Sequence, residues 1–590
     1  MWRSPVVAAL AMALCSQAWP ATVTVDAGTA VVLGTQAEVS SRLFGITAFE
    51  GFPSVVGDLD YRVRVQALRP GVFRFGGAVS WFAPDQFDPG WYDTPEAARQ
   101  FQETLLLGAR YPYGRFLPLV REMGAESMLS LGNPPPYLTL EGTANPSDFD
   151  QWAALCAGYV SLWRRFDPDL RLVQVWNEPN ASWFKDPRVK AGFSEAALHI
   201  EMANKVSRAI KARFPDVEVG GPVLCWPPSW PASQTGMKPW YTWDLWTLPW
   251  LEGTRETMDF FDFHVYNVSP ADFQVQCEMV AAAARAIQGR DLPLWITESN
   301  YDLSAEERAD PAAIWAKRVL PYERLLLHGM LPQADKVAGN LVHDLAAQAF
   351  RVLGDPESPE AMYWLLWILR DLRGTRLLAE SDDPAVTTYA TLEEDRLTVI
   401  AFNDSSESRE VTIRAALPGG WWTGPAVRAI GQGDHGGLTR PQLRTGDFRH
   451  EPPGAVGTVE LPAYATASIS FRLDHFARPG RQRTTTEHFA AETLRFLRGT
   501  DPVTLQLPLP DASRGKVVLR LGLLGATGKE RLRVALNGHD LTADAVTIQD
   551  IPLDAAPETG ANTLTVRLAE PADNPRLAVA FASLVVTAER

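Results

Sequence analysis

The sequence predicts a parallel (β/α)8 barrel, followed by an antiparallel β-sandwich and a second, C-terminal all-β domain. Three observations predict it. From about residue 40 onward, short apolar runs alternate eight times with amphipathic helical stretches. Past the helix SPEAMYWLLWILRDLRG the hydrophobic period drops to two and stays there. The chain's 590 residues also exceed what one hydrophobic core holds, at about 150 residues per domain.

The first element is a leader. MWRSPVVAALAMALCSQAWPA places Arg3 ahead of an apolar stretch from Pro5 to Leu14, with small residues at Ser16 and Ala18. That is the three-part pattern of a signal peptide over residues 1–18, so the protein is expected to be secreted or periplasmic. No later stretch holds 18 apolar residues, and no membrane span is expected. TVTVDAGTAVVLG alternates like a strand and joins, as residues 22–33, the sandwich of residues 375–475.

The barrel, residues 34–374, takes its strands from Leu43–Thr47, Val72–Gly76, Ser127–Leu131, Leu172–Trp176, Val217–Gly221, Phe260–Tyr266, Leu294–Thr297 and Lys336–Val342. A doubly wound open sheet is the competing arrangement. It wants a glycine-rich phosphate turn after its first strand, and none follows Thr47. AVTTYATL, RLTVIAFN, REVTIRAAL, GTVELPAY and ATASISFRL, divided by turns such as Pro418-Gly419-Gly420, give the sandwich. The polar run ARPGRQRTTTE predicts a linker over 476–487, and VTLQLPL, KVVLRLGLL, RLRVALNGHDL, NTLTVRL and RLAVAFASLVV an all-β module over 488–590.

Lys plus Arg (55) against Asp plus Glu (70) leaves a net charge of −15, which opposes nucleic acid and anionic lipid as partners. Without the leader, Cys156, Cys225 and Cys277 remain, odd in number and widely spaced. They form neither a disulfide framework nor a C-x-x-C metal site, and all three are expected to be structural. HExxH, G-x-S-x-G and P-loop motifs are absent from the sequence, so no metal and no cofactor are expected.

In a barrel of this kind reactive groups sit where strands end, around one shared mouth. Those ends carry Arg74, Asn133, Asn177, Glu178, His264, Tyr266, Glu298 and His343. Glu178 on the fourth strand and Glu298 on the seventh lie 120 residues apart and would face each other. Cleaving a glycosidic bond needs such a pair: a neutral acid to protonate the leaving oxygen and an anion to attack the anomeric carbon. Arg74 near Glu298 would keep that carboxylate ionised. Trp81, Trp183 and Trp226 follow strands two, four and five and are candidates for stacking on sugar rings. Trp243, Trp246 and Trp250, spaced like one helix face, are expected in the core.

WNEPN at Trp176–Asn180, ITES at Ile296–Ser299, RFGG with Arg74 and FHVYN with His264 and Tyr266 together resemble the retaining (β/α)8-barrel glycoside hydrolases of clan A. The resemblance covers about residues 22–475. It implies Glu178 as acid/base, Glu298 as nucleophile, Asn177 on the sugar 2-hydroxyl and Tyr266 orienting Glu298. Many clan members end strand eight with a Trp platform, whereas here the segment reads GNLVHD and offers His343. Barrel plus sandwich is similar to β-xylosidases and β-glucuronidases; the tail resembles that of β-agarases and β-porphyranases, which act on red-algal galactans. The expected partner is therefore a carbohydrate, cleaved with retention. An exo-acting β-xylosidase or β-glucuronidase, transglycosylation, and a non-catalytic carbohydrate-binding barrel are the competing readings. The tail, with Phe489, Phe496 and Phe581 and no Trp after residue 490, is expected to pack rather than to bind sugar.

Overall fold

The computed structural model describes residues 20–48, 52–76, 96, 113–132, 134–143, 145–182, 186–188, 195–225, 242–346, 351–353, 360–417, 422–431, 442–444, 447–474, 478–510, 515–553, 557–571, 574 and 577–589. The expected leader, and Trp81, Asn133, Trp183 and Trp226, lie outside the described residues.

Eight parallel strands close a barrel: Gly45–Thr47, Val72–Gly76, Glu126–Leu131, Leu172–Val175, Glu218–Leu224, Phe260–Tyr266, Leu294–Asn300 and Val337–Val342, the eighth pairing with the first through Leu341 and Gly45. The (β/α)8 barrel and the β domains behind it are as expected. The first strand is shorter than its sequence suggests, because Ser41–Phe44 forms a 3-10 turn capped by the Ser40 side chain. Gly45 then enters where space is tightest. A Cβ there would lie 2.9 Å from Leu341 Cγ and 3.0 Å from the carbonyl oxygens of both Asn340 and Val72. Capped helices fill the outside, as in Phe149–Trp163, begun by Asp148, and Pro270–Gln288, begun by Ser269 and ended by left-handed Gly289.

Inside the barrel the two-residue side-chain period stacks the interior in layers. The bottom layer is apolar: Val72, Met128, Leu172, Phe260, Trp295 and Leu341 form one buried cluster. Two residues further along the same strands the layer is polar, with Arg74, Ser130, Gln174, Asp262 and Thr297, all fully buried. One step higher again the strands reach the mouth.

The N-terminal strand Ala21–Leu33 pairs antiparallel with Gly374–Ser381 and, over its first half, parallel with Arg409–Ala416 in the sandwich. Its second half pairs parallel with Arg481–Phe489, which pairs in turn with Ala578–Glu589. This corrects the expected linker over 476–487: its second half is a strand. The run RQRTTTE is polar because one face of the strand stays exposed, and its β-branched threonines suit an extended backbone. Sandwich and C-terminal block thus belong to one continuous sheet, beside a separate four-stranded sheet of Val503–Leu509, Leu532–Leu536, His539–Leu541 and Gly560–Leu568. Buried ionic groups bind the C-terminal block to the barrel. Lys336, just before the eighth barrel strand, meets Glu487 at 3.0 Å and Glu278 at 3.2 Å, and Arg520 lies within 3.8 Å of both carboxylates. Among the described residues no helix is long and apolar enough to cross a membrane.

Candidate active site

Arg74 organises the floor of the mouth. Fully buried, it donates from Nε to Gln174 Oε1, from Nη1 to Glu298 Oε1 and from Nη2 to Asn177 Oδ1, each at 2.6 Å. Gln174 Nε2 passes the chain on to Thr297 Oγ1 at 2.7 Å and to Asp262, whose carboxyl also accepts from Thr297 Oγ1 at 2.8 Å. Burial pushes Asp262 up to about 6, against the pull of the His264 and Arg74 charges. Three planar or forked groups fixed in this way leave Arg74 one orientation.

Glu298 points into the mouth because the seventh strand is bulged. Phe263 pairs with Ile296 but His264 pairs with Glu298, so Thr297 is the extra residue. Without the bulge, strict alternation from Trp295 and Thr297 would send Glu298 outward. Instead Ser299 takes the outer face and bonds Tyr322 Oη at 2.9 Å and Asn340 Oδ1 at 2.7 Å. Glu298 Oε2 accepts from Tyr266 Oη at 2.7 Å and lies 3.5 Å from His264 Nδ1 and 3.8 Å from His343 Nδ1. Burial alone would raise the Glu298 carboxyl. The charges of His264, His343 and Arg74 and the Tyr266 hydrogen bond outweigh it, holding the group well below the usual carboxylate range. Tyr266 is pushed in the opposite direction, by burial and by the Glu298 charge, and stays a donor.

Glu178 enters from a strained turn. Trp176 and Glu178 have φ of 76° and 49°, and Val223 opposite them has 61°. Left-handed conformations in non-glycine residues cost about 1–3 kcal/mol each and persist where surroundings over-determine them. Here Trp176 N–H donates to Leu131 O at 2.8 Å and Glu178 N–H to Val223 O at 2.9 Å. Pro179 then opens a short helix, Pro179–Ser182. The Glu178 carboxyl meets fully buried His264, Oε1 to Nδ1 being 2.8 Å. Burial would lower the His264 imidazole, but Glu298 and Glu178 together raise it. One ligand atom each from Glu178, His264 and Glu298 lie within 4.8 Å of one another. The same three atoms are a possible metal ligand set, yet the Arg74 cation 2.6 Å from Glu298 opposes a second cation there.

The structure therefore brings together Arg74, Asn177, Glu178, His264, Tyr266, Glu298 and His343. His343 stands edge-on to the Tyr266 ring, with centroids 6.3 Å apart. Trp243, Trp246 and Trp250 are buried in the core, the last stacked on His199. Sequence reasoning missed the supporting polar layer of Gln174, Asp262 and Thr297. The signal was available, since Gln174 precedes Trp176 by two residues and Asp262 precedes His264 by two on strands otherwise apolar. Cys225 is half-buried, its backbone N–H donates to Asn180 Oδ1 at 2.9 Å, and burial and the Glu178 charge push its thiol far up.

No model of a known protein family matches the chain. The β-xylosidase of Geobacillus stearothermophilus is 28% identical over 182 residues, which span 27% of this chain and 32% of that protein. Among solved structures, wild-type BuGH86 in complex with neoagarooctaose aligns with a TM-score of 0.72 at 14% identity, covering 96% of this chain and 99% of that one. BpGH86A, a β-porphyranase of glycoside hydrolase family 86 from Bacteroides plebeius, aligns with a TM-score of 0.65 at 14% identity, covering 96% and 100%. A monomeric β-xylosidase from Caulobacter crescentus CB15 gives 0.52 at 14%, covering 77% and 100%. The fold of this chain is that of these proteins.

Proposed function

We propose that the protein is an exported retaining β-glycoside hydrolase that cleaves a poly- or oligosaccharide by double displacement. The observation that carries this reading is the meeting of the two carboxylates. A carboxyl separation of about 5–5.5 Å suits a nucleophile attacking directly, whereas inversion needs about 6.5–9.5 Å to admit a water. Oxygens of Glu178 and Glu298 within 4.8 Å of each other fit the first.

Glu178 protonates the leaving glycosidic oxygen while Glu298 attacks the anomeric carbon, giving a glycosyl ester. Water, deprotonated by Glu178, then attacks the same carbon and frees Glu298, with net retention. Arg74 and Tyr266 hold Glu298 charged and oriented. Asn177, whose Oδ1 is occupied by Arg74, has its amide nitrogen left for the sugar 2-hydroxyl. Asn133, Trp81, Trp183, Trp226, His264 and His343 complete the proposed substrate contacts.

A red-algal galactan of the agarose or porphyran type is the proposed substrate. Supporting it, the two family 86 structures align over 96% of the chain and so take in the C-terminal module, against 77% for the β-xylosidase. The second reading, a β-xylosidase-like exo-glycosidase, has the 28% identity to the Geobacillus protein in its favour. Reducing-end assays on agarose, porphyran, xylan, xyloglucan and glucuronoxylan separate them: release from either algal polymer is expected, and release from xylan alone would favour the second. Proton NMR should show the β-anomer first. No turnover of these polymers or of an aryl β-glycoside by wild type would leave only a carbohydrate-binding barrel, and wild-type turnover by Glu298→Ala would remove Glu298 as nucleophile. Export is tested by sequencing the N-terminus of protein recovered outside the cytoplasm, expected to begin near residue 19.

A further inference from the structure

Beneath the mouth, Arg74, Gln174, Asp262 and Thr297, from the second, fourth, sixth and seventh strands, are all fully buried. Gln174, Asp262 and Thr297 are closed off from any substrate, so whatever they contribute to a reaction passes through the side chains above them. Their hydrogen bonds run in one consistent direction. Arg74 Nε can only donate, and its acceptor is Gln174 Oε1 at 2.6 Å. An ionised Asp262 can only accept: Oδ2 from Gln174 Nε2, and Oδ1 from Thr297 Oγ1 at 2.8 Å. Burial pushes Asp262 up to about 6, which leaves it mostly ionised at neutral pH. Gln174 therefore stands between a group that only donates and one that only accepts, and one of its two amide orientations satisfies both. Thr297 Oγ1, accepting from Gln174 Nε2 at 2.7 Å, favours that same orientation. Turned over, the amide would set N–H against N–H at Arg74 and oxygen against oxygen at Asp262, at full burial.

Taking Glu298 as the nucleophile of the proposed reaction, we propose that Asp262 is a positioning residue that locks the Gln174 amide and, through Arg74, aims Glu298 at the anomeric carbon. Arg74 holds Glu298 Oε1 with Nη1 at 2.6 Å. Its guanidinium is planar and turns as one piece, so the Nε bond to Gln174 fixes where Nη1 points. An attacking oxygen is effective only when held close to and in line with its carbon, and a misplacement of about 1 Å costs about 10²-fold. A carboxylate suits the task because it carries no donor. A carboxamide or a carboxylic acid in its place would offer an N–H or O–H as well and would no longer dictate the direction of the Gln174 amide. Thr297, the bulged residue next to Glu298, belongs to the same lock, and Thr47 Oγ1 of the first strand donates to its carbonyl oxygen at 3.0 Å.

The test reverses the polarity of the lock, reading kcat and KM on porphyran, or on whichever of agarose and xylan the wild type cleaves. Asp262→Asn keeps the shape but offers one oxygen to two donors, the Gln174 amide and the Thr297 hydroxyl. Its kcat should fall about 10-fold with KM nearly unchanged, as for a misaimed nucleophile. Gln174→Glu alone sets two carboxyl groups together and should be impaired at least as much. Combined, the two changes restore the set: the carboxamide at 262 donates to the carboxylate at 174, which still accepts from Arg74 Nε, while the carboxamide oxygen accepts from Thr297. The charge of the layer is also unchanged. The double variant should regain kcat to within about 3-fold of wild type. A residue that merely fills the core would tolerate the isosteric Asp262→Asn and gain nothing from the second change. Wild-type kcat in Asp262→Asn, or a folded double variant still impaired beyond that range, overturns the proposal. Melting curves establish which variants fold; should a single variant not fold, the double variant decides by the same criterion. Glu298→Ala separates this inference from the reading beneath it. If Glu298→Ala keeps wild-type turnover, the nucleophile assignment has failed; if it is inactive and Asp262→Asn matches wild type, only the role of Asp262 has.

Discussion

At Glu298 burial and charge pull in opposite directions, and charge wins. The carboxyl is nearly dry, yet Arg74, His264 and His343 surround it and hold it ionised well below the ordinary range. A depressed carboxyl contributes stability that is present above its unfolded value, about 4.3, and is lost as pH falls through the folded one. Wild type should therefore lose little from this group at mildly acidic pH. Arg74→Met shifts the balance toward burial, with His264, His343 and Tyr266 still holding the carboxyl down. Its expected effect is an acidic limb of kcat/KM raised into the measurable range, a loss of about 10²–10³ in kcat, and about 3–5 kcal/mol less stability in urea unfolding, since a buried carboxylate loses its partner. Glu298→Ala should remove turnover altogether, read as reducing ends over hours. At this scale the sequence was informative: Asn-Glu-Pro at one strand end and a second Glu 120 residues later pick out the pair that the fold brings together. The thiol beside Glu178 was not legible, because a lone cysteine after an apolar strand carries no pattern of its own.

Among the elements, the barrel strands were readable from apolar runs, but not all their ends: the fifth runs on to Leu224 and the seventh to Asn300, each three residues past where its apolar run stops. The Thr297 bulge was not readable either, since a period-two reading assigns Glu298 to the outer face and only pairing with its neighbours shifts it inward. The first strand shows a steric limit of the same kind. Gly45→Ala should lower stability by about 1–3 kcal/mol, measured by thermal melting, because its Cβ meets Leu341 and two carbonyl oxygens at 3.0 Å or less. A different sensitivity sits on the barrel helix Leu320–Arg324, where fully buried Glu323 accepts a hydrogen bond from Thr466 of the sandwich. Burial pushes this carboxyl up to about 8. Its contribution is complete below the unfolded value of about 4.3 and is lost as pH rises through 8, on the order of a few kcal/mol in all. Melting temperatures at pH 6 and pH 9 should thus diverge in wild type and converge in Glu323→Gln; equal divergence in both would assign the alkaline loss elsewhere.

Over the whole molecule, the sequence separated barrel from β blocks by the change of period, but it read residues 481–487 of the strand Arg481–Phe489 as linker because polarity was taken for the lack of structure. Long-range pairing with Ala21–Leu33 and Ala578–Glu589 makes it a strand, and no local signal reports a partner so far away. The buried charges around Lys336 are another such long-range feature. Lys336→Met would leave Glu278 and Glu487 facing each other with only the more distant Arg520 as cation, and is expected to cost about 3–5 kcal/mol and to admit protease to the C-terminal block first, seen by limited digestion. The strand Ala21–Leu33 meets its neighbours more than 350 residues later, at Ser381 and then at Arg481. During synthesis it therefore emerges with both edges open, a template for stray pairing with any other chain. A segment made so long before its partners is among the last to find its place, and until the stretch from Arg481 onward has left the ribosome, solubility depends on something other than the native contacts.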